Sequence, residues 1–196
     1  VGSATKEREE AAKLPEGDVV RILLEQHARI RDLFGEVKSS RGEQKQQNFD
    51  ELRALLAVHE TAEEMILRPV AEKTAGEAEA EARNDEEAEA NKVLARLEKM
   101  DVGSSEFDAE FAAFEQSVID HAEHEEQEEF PAVRAACDED RLKRMGTKLK
   151  AAEKMAPTHP HPSAAGSRAA QWMTGPFASM IDRVKDALTT RSSRGS

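Results

Sequence analysis

Two short runs in the sequence set histidine and glutamate four residues apart. "HETAEEMILRP" begins at His59 and carries Glu63; "HAEHEEQEEFP" begins at His121 and carries Glu125. In a helix, residues four apart share a face, so each pair can offer an imidazole nitrogen and a carboxylate oxygen to a common cation. Both pairs stand where apolar residues belong. Leu52, Leu55 and Leu56 lead at steps of three or four to His59 and Glu63, then to Ile66 and Val70. Phe107, Phe111, Phe114 and Val118 lead in the same way to His121 and Glu125, then to Ala132. A third histidine, His27, interrupts a stripe of Val20, Leu23, Leu24, Ile30 and Phe34. A buried carboxylate without a partner is costly unless it is neutralised, and a bound metal removes that cost. Mixed imidazole and carboxylate donors suit iron, manganese or zinc. The single cysteine, Cys137, leaves no thiolate cluster for iron–sulfur chemistry.

The two runs share a register. After the histidine, each has Glu-Glu at the fourth and fifth following positions and proline at the tenth. His27 is followed by Ile30, Leu33, Phe34 and Val37, and the same spacings run from Glu87 to Ala90, Val93, Leu94 and Leu97. The chain therefore reads as two helical hairpins of one pattern, with Glu87 where a histidine is expected.

Helices must position these residues, because no stretch alternates with the period of two that a half-buried strand requires. Asp18 caps a helix from about Val19 to Lys38, ended by "SSRGE". A second spans about Gln44 to Val70, with Pro69 marking its last turn or a kink. A third extends to about Met100; "DVGSSEFD" then supplies a break and a cap for a fourth, about Phe107 to Ala136. Short connections between long helices favour an antiparallel up-down four-helix bundle. The expected organisation is a flexible tail over 1–17, the bundle over 18–136, an additional helix within 137–156, a Pro/Ser/Gly linker over 157–168, and an amphipathic C-terminal helix and tail over 169–196.

Charge narrows the function classes. Charged residues make up 35% of the 196, and the formal net charge of −12 disfavours nucleic acid and anionic lipid as partners. No stretch approaches a membrane span, and the start of the sequence has no apolar core of a signal peptide, so a cytoplasmic protein is expected. No phosphate loop or Ser-His-Asp order is present. His124 and Glu128 are also four apart, but their counterparts Ala62 and Ile66 in the first run mark them as supporting or surface groups. Glu64 and Glu126 recur off the core stripe, as interhelical or supporting groups. His159 and His161 read as part of the linker. The C-terminal helix carries Trp172, Phe177, Met180 and Ile181; it is expected to pack on the bundle, with pairing in a homodimer or lying on a membrane surface as the alternatives.

His27 together with the two runs resembles the hemerythrin family, specifically the bacterial HHE cation-binding domains with the order His, His-x-x-x-Glu, His, His-x-x-x-Glu. The resemblance covers residues 18 to 136. It implies a non-haem di-iron centre bridged by carboxylates, with His27, His59, Glu63, His121 and Glu125 as ligands. Family members usually carry histidine in the third helix; here Glu87 is the expected replacement, with Glu86 and Glu89 as alternatives. More anionic oxygen donors favour ferric iron. That points from reversible oxygen carriage toward peroxidase, catalase or oxidase chemistry on oxygen or hydrogen peroxide. The other function class is non-catalytic binding, storage or sensing of oxygen, nitric oxide or iron, and a plainer one is a metal-free helical interaction module.

Overall fold

The computed structural model describes residues 3–74, 86, 89, 90 and 92–153. Every regular element among them is helical, and the fold is an all-α helical bundle. Helix α1 spans Ala4–Ala12, α2 Val19–Ser39 and α3 Gly42–Ala62. A π-helical turn, Glu63–Leu67, joins α3 without a break to α4, Arg68–Thr74. The third long segment is helical over 92–97. Helix α5 spans Ser105–His124 and passes through a second π-helical turn, Glu125–Glu129, into α6, Phe130–Ala136. Helix α7 is Glu139–Glu153.

The caps are where the residue types predict. Asp18 accepts a hydrogen bond from the Val20 amide at the start of α2, and Ser104 accepts from Phe107 at the start of α5. Each satisfies an amide that the first turn leaves without a helical partner. Ser104→Ala is expected to cost about 1 kcal/mol of unfolding free energy, read from the urea midpoint.

The two π-helical turns have a common cause. Proline has no N–H to donate, and in a regular α-helix its ring collides with the carbonyl four residues earlier. Pro69 and Pro131 would meet the carbonyls of Met65 and Gln127; each turn widens just before its proline, so that the amides of Arg68 and Phe130 bond to the carbonyls of Glu63 and Glu125. Pro69 therefore does not end its helix, which continues to Thr74. The extra residue rotates everything downstream. Val70 and Ala132, expected in the core, are only partly buried, and Ala71 and Val133 take their places.

Two further differences concern the flanks. Residues 1–17 were expected to be a tail, yet Ala4–Ala12 forms a helix on α2, pinned by Arg31 to the buried Glu7 and by Arg8 to Asp32, with Ala11 in the core. Helix α7 packs Leu142, Met145 and Leu149 on the start of α2. Gly146 makes this approach possible, because a Cβ there would overlap the Gly17 carbonyl. The linker and C-terminal helix expected over 157–196 lie outside the described residues. Among the described residues, no helix is long and apolar enough to cross a membrane.

The core is in two parts. One joins Val19, Leu23 and Leu24 to Ala62, Leu67, Phe130, Val133 and α7. The other joins Ile30 to Val37 with Phe49, Leu52, Leu56, Leu94, Leu97, Phe107, Phe111 and Phe114. Along α2, along α3 with the turn that follows it, and along α5 with its own turn, His27, His59 with Glu63, and His121 with Glu125 stand where one part of the core gives way to the other.

Candidate metal centre

His27 comes from the middle of α2, His59 from the last turn of α3, and His121 from the last turn of α5. Glu63 and Glu125 are the first residues of the two π-helical turns. His27, His59, Glu63 and Glu125 are all buried, and one donor atom from each lies within 4.8 Å of the others. Nε2 of His27 is 3.4 Å from Glu125 Oε2, and Nε2 of His59 is 3.4 Å from Glu63 Oε2. His121 joins through the other oxygen of Glu125, its Nε2 3.3 Å from Oε1. The five residues named from the repeated runs and from α2 thus converge.

Each imidazole is held from behind. Nδ1 of His27 is 2.9 Å from Glu126, Nδ1 of His59 is 2.8 Å from Gln26 Oε1, and Nδ1 of His121 is 3.0 Å from Glu86. Anchoring one ring nitrogen on an oxygen fixes the ring and leaves the other nitrogen to act as a donor, the usual arrangement behind a metal-bound histidine. The third helix follows the expectations only in part. Glu87 lies outside the described residues. Glu86 meets the outer nitrogens of His121 and, at 3.2 Å, His124; Glu89 is exposed and pairs with Lys92. Glu128 is exposed.

Arg68 and Glu129 were not singled out from the sequence. Both are buried, Arg68 NH1 bonds Glu129 Oε2 at 2.7 Å, and Arg68 NH2 lies 3.6 Å from Glu125 Oε1. A signal for them exists. In matching positions the two runs carry Leu67-Arg68 and Glu129-Phe130, a charge in each where the other has an apolar side chain.

Electrostatics separate the three histidines. Burial opposes charge on His27, but the contacts and charges of Glu125 and Glu126 outweigh it and lift its pKa to about 9. Burial, with the charge of His27, pushes His59 down to about 3. His121 is raised well above the usual histidine range, because Glu125 and Glu86 overcome its burial. Burial would raise the Glu125 carboxyl, yet His121 and His27 hold it well below the usual carboxylate range.

The centre fits a cation. Among the described residues, His27 Nε2 and both oxygens of Glu125 are buried and make no hydrogen bond. Leaving such atoms unsatisfied is costly, and a metal ion would satisfy all three. Beside them lies a cavity of about 30 Å³, bounded by His27, His59 and His121 and by apolar groups that include Ile30, Leu56 and Val118.

The chain is similar to several known proteins. A protein of Nostoc sp. described as a DNA nickase is 28% identical over 154 residues, 78% of this chain and 43% of the nickase; the chain thus spans less than half of that relative. A protein of Schizosaccharomyces pombe described as an uncharacterized hemerythrin-like protein is 28% identical over 136 residues, 68% of this chain and 67% of its own. The crystal structure of a hemerythrin HHE cation binding domain-containing protein from Mycobacterium kansasii has the same fold, with a TM-score of 0.63 at 20% identity, covering 87% of this chain and 99% of that one. The profile of the hemerythrin HHE cation binding domain matches residues 18–133, which hold all three inward-facing histidines and both π-helical turns. With that match over more than half its length, the chain belongs to the hemerythrin HHE cation-binding family.

Proposed function

We propose that the protein holds two iron ions as a non-haem di-iron centre and acts as an oxidoreductase on oxygen or hydrogen peroxide. The observation that carries this reading is the convergence of three inward imidazole nitrogens and two buried carboxylates, each imidazole anchored on its outer side. His27, His59, Glu63, His121 and Glu125 would hold the metal, with Glu63 and Glu125 the bridging candidates and Glu87 the candidate from the third helix. Bound iron would supply the electron transfer to oxygen or peroxide. The protein's own groups do the rest. The outer carboxylates of Glu86 and Glu126 strengthen His121 and His27 as donors, and Arg68 balances the charge of Glu125 from the side. The cavity beside the histidines has room for a molecule of a few atoms.

The apolar part of its lining, Ile30, Leu56, Ala90, Val118, Ile119 and Ala122, favours a second reading, non-catalytic binding of oxygen or nitric oxide, whereas Arg31 and Glu60 on the same wall leave polar groups for the first. The net charge of −12 speaks against carrying DNA cleavage over from the nickase. Metal analysis of protein purified in air, followed by peroxide addition under an oxygen electrode, tests the proposal. About two irons per chain with sustained oxygen release or peroxide loss is the expected result. A stable, reversible oxy complex without turnover supports the binder, and a chain that takes up no iron on reconstitution overturns both.

A second expectation concerns protons. With its pKa raised to about 9, His27 carries a proton at pH 7 in the metal-free protein. A cation must displace it, so ferrous uptake at pH 7 releases protons, and affinity rises with pH up to about 9. Calorimetry in buffers of different ionisation enthalpy counts the protons released.

A further inference from the structure

Gln26 lies between two partners of different kinds. Its Oε1 is 2.8 Å from His59 Nδ1, and its Nε2 donates to Glu153 Oε1 in the last described turn of α7. An ionised carboxylate can only accept, so Glu153 selects the amide orientation with NH2 toward α7. The amide oxygen then faces His59, and an oxygen can only accept, so Nδ1 must carry the ring proton. A neutral imidazole has one such proton. Nε2 is left with its lone pair, 3.4 Å from Glu63 Oε2 in the centre. The other two histidines need no such control, because Glu126 and Glu86 place carboxylates directly on their outer nitrogens. A carboxylate accepts whichever way it is turned; an amide does not.

We infer that Glu153, acting through Gln26, sets the tautomer of His59, so that α7 lying outside the bundle decides whether His59 can act as a metal ligand. Glu153 and Gln26 are positioning residues in this scheme. If the acceptor at position 153 is replaced by a donor, the amide turns over and presents NH2 to Nδ1. His59 then gains most by protonating Nε2, which closes its lone pair to the centre. This deepens the metal reading and rests on it only where metal affinity is the readout; the tautomer itself belongs to the metal-free protein.

The test uses the full chain and four variants. In wild-type metal-free protein, nitrogen-15 NMR is expected to show His59 protonated at Nδ1. In Glu153→Lys the equilibrium is expected to move toward Nε2–H, and ferrous affinity, measured against a chelator, to fall by about 10- to 100-fold. The double variant Gln26→Glu/Glu153→Lys is expected to restore both, because a carboxylate at position 26 accepts from His59 while pairing with the new ammonium group. Gln26→Leu, which removes the amide, is expected to weaken binding without rescue by Glu153→Lys. An unchanged His59 tautomer in a folded Glu153→Lys overturns the inference, as does an affinity loss that the double variant leaves unrepaired. If wild-type protein binds no iron while its tautomer still responds to position 153, the metal reading fails and the relay stands.

Discussion

Glu125→Ala is expected to leave the purified protein almost free of iron, with affinity lowered by well over about 100-fold, since it removes a proposed direct donor and exceeds the loss typical of supporting residues. The side chain joins three groups of the centre. Its oxygens lie 3.4 Å from His27, 3.3 Å from His121 and 3.6 Å from Arg68. Removing it takes away a group that faces both His27 and His121, and it sets Arg68 and two raised-pKa histidines in a buried space with less negative charge. The same loss should appear in Glu63→Ala. Elemental analysis of each variant decides the matter, and retention of two irons per chain in Glu125→Ala would sink the proposed ligand set.

Arg68→Met is expected to lower unfolding free energy by about 3–5 kcal/mol, the usual penalty for breaking a buried ion pair from one side. Arg68 is 3% exposed and Glu129 1%, so water cannot take over the carboxylate left behind. The double variant Arg68→Met/Glu129→Leu should recover most of that loss, because an apolar pair of similar volume carries no desolvation penalty. Urea denaturation of the metal-free proteins separates this effect from metal binding. A single variant within about 1 kcal/mol of wild type would show that the pair is better hydrated than its burial implies.

What was legible in the sequence was whatever repeats along one helix. His59 with Glu63 and His121 with Glu125 are four residues apart on a core stripe, and that spacing alone carries them to one face. His27 was legible because it breaks an otherwise apolar stripe. The positions beyond each metal-facing glutamate were not, since the π-helical turns add a residue and move the stripe from Val70 to Ala71 and from Ala132 to Val133. Proline at the same place in both runs was visible, but its effect is a widened turn, which a fixed helical period does not contain. Glu126 was legible as an interhelical or supporting group because it recurs with Glu64 in the same register, and Glu86 was named only as an alternative ligand, whereas it meets the outer nitrogen of His121. Gln26 escapes for another reason: its role comes from contacts across helices to His59 and Glu153, which no spacing along one helix records. Helix α1 was hidden by its polarity; apart from Ala11 it is held mainly by charge, through Glu7 with Arg31 and Arg8 with Asp32.

The belt of ionisable groups between the two apolar clusters bears on how the molecule comes apart. Cooperative unfolding requires that loosening one region withdraws support from the next. The phenylalanine-rich cluster and the cluster under α7 share helices but are parted by His27, His59, Glu63, His121 and Glu125. A cation clasped by all of these side chains would be a cross-link between two halves of one domain, much as a rivet joins plates that otherwise slide. With such a cation in place the two halves would melt as one unit; without it each would be free to open at its own threshold, and the folded state would become a sum of two smaller ones.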